Sequence, residues 1–111
     1  MFRRLVHDTR RLLDAWWRVD RIRIAPREGE LLRLRPPSII VVEGCPAEVL
    51  ARTVGQSVGG PYVEYECRSA TDACRLRVQP APAGGVLGAQ WQDRGPPRRV
   101  DPERIEVFLR G

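Results

Sequence analysis

Lysine is absent from this chain: all 19 basic residues are arginine. Arginine grips phosphate and carboxylate bidentately where lysine does not. A single binding site, however, would not clear lysine from every solvated face, and alanine, glycine and proline are abundant as well. The absence therefore reads as compositional bias before it reads as recognition. Histidine is reduced to His7. On a helix it falls among Arg3, Arg4 and Arg11, a polar face that no cysteine or serine is placed to reach. A nucleophile–histidine pair finds no support there.

Thiols are also few. Cys45, Cys67 and Cys74 are the only cysteines, and they lack the closely spaced ligand pair of structural zinc modules. No metal or cofactor is expected. Gly59-Gly60 runs into Pro61 rather than into a helix, so it is not a phosphate-cradling loop. Aromatic residues make up 6% of the chain, and Tyr62, Tyr65, Trp91 and Phe108 do not cluster into a stacking surface in sequence. The longest aliphatic run, Ile39–Val42, is too short to cross a bilayer. Residues 1–11 are charged and lack the apolar segment of a secretory signal, while Asp8, Asp14 and Asp20 argue against a transit peptide. A cytoplasmic location is expected. No carboxylate stands in an apolar stretch that would turn it into a general acid, and a non-enzymatic protein is the reading.

What is present is a turn-rich chain of 111 residues, with ten glycines, ten prolines and 42% hydrophobic residues. That suffices for one small domain with a modest core. The net charge of +5 is unevenly distributed. Residues 1–36 hold ten arginines against five acids, and the remainder holds nine against nine, so all the excess lies in the N-terminal third.

Three regions follow. Over 2–19, Phe2, Leu5, Val6, Thr9, Leu12, Leu13, Trp16 and Val19 share one face at helical spacing, with Arg4, Arg11 and Arg18 opposite and Trp17 at the margin. An amphipathic helix over residues 1–20 is predicted. Its apolar face can cover one side of the β-structure, dock a partner or a second copy, or lie on a membrane surface. Residues 21–36 read as Arg-rich connecting strands, because Arg21-Ile22-Arg23-Ile24 alternates and residues 31–35 alternate from Leu32 onward. Arg21, Arg23, Arg33 and Arg35 then form a ridge for a partner, or only the wet face of an edge strand.

Residues 37–111 read as a small barrel. Ile39–Val42, a tight turn at residues 43–46 and a returning strand with Ala47, Val49 and Ala51 alternating against Glu48, Leu50 and Arg52 open it. Residues 55–61 read as a mobile loop. A second hairpin sets Val63, Tyr65 and Cys67 on the same face as Cys74, Leu76 and Val78, with Glu64, Glu66, Arg75 and Arg77 outside. Cys67 and Cys74 are thus a disulfide or a pair of small buried residues. A strand over 86–92, a turn over 93–99, a capped single turn at Asp101-Pro102 and a last strand complete the count of about six strands.

The expected class is mainly β, α+β by content: a helix followed by an antiparallel barrel or roll. At the level of element order only, the late single turn before a final strand over residues 34–110 resembles an SH3-type barrel, with an OB-like barrel as the alternative. Fold alone assigns no function. The chain is expected to act as a binding or accessory module for another protein or for itself, through Arg4, Arg11, Trp17, Arg18 and the Arg21, Arg23, Arg33 and Arg35 ridge. Nucleic-acid binding through the basic arm is the alternative, and peripheral membrane association the third reading.

Overall fold

The computed structural model describes residues 19–24 and 29–110 of the chain. Their backbone forms a single antiparallel sheet of eight strands: β1 (Val19–Ile24), β2 (Ile39–Val42), β3 (Cys45–Ser57), β4 (Gly60–Ser69), β5 (Ala73–Pro80), β6 (Val86–Gln92), β7 (Arg98–Val100) and β8 (Glu106–Arg110). The strands from β2 to β7 follow one another as a meander, and β8 then returns to pair with β2, with β1 outside it. The sheet therefore curls into a half-barrel. The predicted helix lies, but for Val19 and Asp20, outside the described residues. Those two belong to β1, so the strand begins before the alternation at residues 21–24.

The core follows from the period-two pattern of the strands. Val63, Tyr65 and Cys67 of β4, Cys74, Leu76 and Val78 of β5, Ala89 and Trp91 of β6 and Val107 of β8 all point inward and are buried. Ile40 and Val42 join them from β2. The neighbouring Ile39 and Val41, on the other face of β2, are also buried, so β2 is covered on both sides as its unbroken apolar run predicts. Its turn is two residues long. Glu43 and Gly44 both have positive φ, 52° and 76°, the mirror-image turn whose twist suits a hairpin.

Four sequence-based expectations change. Residues 31–35 are not a strand. Glu30–Leu32 forms a 3₁₀ turn, with Gly29 before it at φ 84°. Leu31 and Leu34, three apart, are both buried, which a strand cannot achieve on one face. Residues 55–61 are not a mobile loop: β3 and β4 stay paired out to Ser57↔Gly60, and only Val58 and Gly59 turn. The alternation expected along residues 47–52 breaks at a bulge. Val49 opposes Cys67 and Arg52 opposes Tyr65, so Leu50 is the extra residue and Arg52, not Ala51, shares the core-facing side. Finally, residues 98–100 leave the expected turn over 93–99 to form β7 on β6.

Candidate functional site

Among the described residues the sheet does not close. β7 stands at one end of the strand order and pairs, among the described residues, with β6 alone. Alternate residues of an antiparallel strand send both backbone groups to the same side, so at least one of Arg98, Arg99 and Val100 offers its N–H and C=O to the open edge. Across the gap, β8 covers β2 only through Ile39↔Phe108, Ile40↔Val107 and Val41↔Glu106. Val42 pairs with Cys45 of β3 and has no partner in β8. A seam is left between β7 on one side and the end of β2 on the other.

Short-range chemistry shapes this seam. Asp101 caps the single turn Pro102–Arg104 by accepting a hydrogen bond from the Glu103 N–H at 3.0 Å, with Pro102 at the first helical position. This turn carries the chain from β7 back to β8 and places Ile105 in the core. Arg98 spans the seam by donating to Glu43 at 3.2 Å, and on its own side it donates to Asp93 at 3.0 Å. The resulting groove, about 820 Å³, is lined by residues from β2, its turn, β7, the 3₁₀ turn and β8. Its charged lining is Glu43, Asp101, Glu103 and Glu106 against Arg99 and Arg104: four minus two, a formal −2. Adding Arg98 and Asp93 at its margin leaves that balance unchanged. Val41, Val42, Val100 and Ile105 supply the apolar part.

A second groove, about 550 Å³, lies at the thiol end and includes Leu50, Arg68, Cys67, Cys74 and Asp93. Cys67 and Cys74 oppose each other across β4 and β5 as free, buried thiols. Burial, reinforced by Cys74, pushes the Cys67 thiol up to about 12. Burial also raises Cys74, and raises Cys45 at the exposed start of β3. Nucleophilic cysteines need the opposite shift. Nearby, the Thr71 hydroxyl and then Arg94 hold Asp72 below the usual carboxylate range, and a hydrogen bond from Arg98 does the same for Asp93. Both remain ionised, the wrong direction for a general acid at neutral pH. A third groove, about 450 Å³, runs over the outside of β5 to β7 beside Arg77, Gln79, Leu87, Gln90 and Arg99.

Arg4, Arg11, Trp17 and Arg18 lie outside the described residues, as does His7. Arg21 and Arg23 contribute backbone to β1. Arg33 and Arg35 are exposed but sit on the irregular stretch before β2, so they do not extend a ridge on the sheet. The reason is again the burial of Leu31 and Leu34, which sets a three-residue spacing. The seam was not read from the sequence. Its ion pair joins residues 55 apart, and β7 is too short for periodicity to register. The capped turn at Asp101-Pro102 was the one signal pointing to it.

Among the described residues, no group of three or more metal-ligating side chains comes together, and no helix is long and apolar enough to cross a membrane. Comparisons with protein-family models, with curated proteins and with solved structures find no match to this chain.

Proposed function

We propose that this chain is a non-enzymatic binding module, an SH3-type small barrel whose partner is another protein. One observation carries the reading: among the described residues, β7 has an unpaired strand edge that opens into the groove of largest volume of the three, with a charged rim over apolar side chains. Strand edges of this kind are ordinarily blunted or covered, and when left open they pair with another chain. The perturbed groups fit binding better than catalysis, since the thiols are held protonated and Asp72 and Asp93 are held ionised. Two free thiols facing each other suit a reducing compartment such as the cytoplasm.

The test is a photo-crosslinking amino acid placed at Glu103 on the seam, with a control at Thr53 on the β3–β4 arm, in the full chain expressed in its own cell. The expected result is a protein adduct from position 103 and none from position 53. Adducts to nucleic acid or lipid only, or no adduct at position 103, would contradict a protein partner at this seam.

A further inference from the structure

We infer that the partner of the seam is an extended, arginine- or lysine-rich segment of another protein, added as a strand to the open edge of β7. The inference rests on the binding-module reading and goes further by naming the chemistry of the ligand.

Two independent features select it. The first is backbone. Among the described residues, at least one residue of β7 turns its N–H and C=O to the open edge, a donor–acceptor pair that an extended chain matches, and main-chain pairing gives such complexes their affinity. A folded helix or a small anion cannot use them in this way. The second is charge. The groove lining is −2, and Glu43 and Glu103 stand on opposite sides of it, one on the β2–β3 turn and one on the turn after β7. An acidic rim attracts a basic strand, speeds its encounter and repels an acidic one. Between the rims, Val100 is partly exposed, and the buried Val42 and Ile105 form the floor beneath it. Side chains of an added strand alternate between faces, so a segment alternating basic and aliphatic residues meets both features at once.

The same rim argues against nucleic acid at this place, because a polyanion would approach four carboxylates. Any nucleic-acid binding belongs to the basic N-terminal third, where the excess of arginine lies.

The experiment measures binding of a fluorescent peptide to the full chain by anisotropy. The probe alternates valine and arginine. Its controls are the same peptide with glutamate for arginine, and the same peptide with alternate backbone amides methylated. Binding of the arginine peptide is expected, with weakening as salt rises, and neither control should bind. The variant Glu103→Lys, at an exposed position, should weaken binding several-fold, and adding Glu43→Lys should bring the loss to about tenfold or more. Circular dichroism confirms that both variants keep the fold.

Equal binding of the glutamate peptide overturns the charge argument, and equal binding of the methylated peptide overturns strand addition. Concentration-dependent dimerisation through residues 98–100 overturns it too, because the occupant would then be a second copy. A protein adduct at position 103 without arginine-peptide binding refutes this inference and leaves the binding-module reading standing. Absence of both refutes the two together.

Discussion

Tyr65 shows how a single side chain fixes the entrance to the barrel. It is fully buried on β4, and its hydroxyl donates to the Leu31 carbonyl at 2.6 Å and accepts from the Leu34 N–H at 3.2 Å. Those groups lie on the 3₁₀ turn and the stretch after it, where no ladder would satisfy them. Removing the hydroxyl leaves a buried donor and acceptor unpaired. Tyr65→Phe should therefore cost about 1–3 kcal/mol, read as a lower urea midpoint at unchanged slope. Cys67 makes a pH-dependent contribution. Its pKa is raised from 9.0 to about 12 in the fold, so the folded chain holds a proton there that the unfolded chain releases. Stability from this group is complete below pH 9.0 and falls as pH climbs toward 12, by at most about 4 kcal/mol. Cys67→Ala should flatten the fall in the unfolding midpoint across that window. Tyr65, also raised by burial, adds to the loss at the alkaline end. The facing of Cys67 and Cys74 was legible in the sequence because both lie on cleanly alternating strands. The anchoring role of Tyr65 was not, since its partners are more than 30 residues away.

At the scale of elements, the β3–β4 arm was the least legible. Residues 55–61 hold three glycines and end in proline, a composition that reads as loop. They pair because a neighbour replaces the missing side chain. Gly55 lies opposite Tyr62, and the tyrosine ring folds over it. Arg77 stacks on that ring 4.0 Å from its centre and donates to Glu64 at 2.9 Å. A Cβ at residue 55 would fall 2.4 Å from the ring. Gly55→Ala must push Tyr62 aside and break the stack on Arg77, which is worth about 0.5–1 kcal/mol at a partly exposed site. The expected outcome is a modest drop in stability, with loss of the ring-current shift on the Arg77 side-chain protons. An unchanged Arg77 spectrum would show that the ring does not rest on Gly55. The β2 hairpin and the β4–β5 hairpin were legible for the opposite reason: continuous burial and strict alternation leave one register each. Residues 31–35 misled because leucine and arginine happened to alternate where a three-residue spacing set the burial.

For the whole molecule, the returning strand decides the shape. β8 reaches back to β2 after only a single capped turn, so β7 must lie near the β2–β3 turn, and Arg98 bridges the two. β7 itself ends after three residues, following Gly95-Pro96-Pro97, and prolines cannot extend a ladder on their N–H side. The sheet is left one step short of closure, and the seam is the consequence. Meander order and the turn before the last strand were legible, because each follows from local residues. The seam was not, because it arises from where two distant ends meet.

Hydrogen exchange at the amides of Arg98–Val100 tests this most directly, measured with and without the alternating arginine–valine peptide. In the free chain, at least one of these amides should exchange far faster than the paired amides of β4, and saturating peptide should slow it at least about tenfold. Uniform protection in the free chain would mean that the seam is already closed. Unchanged exchange at saturation would mean that the peptide does not bind as a strand on β7.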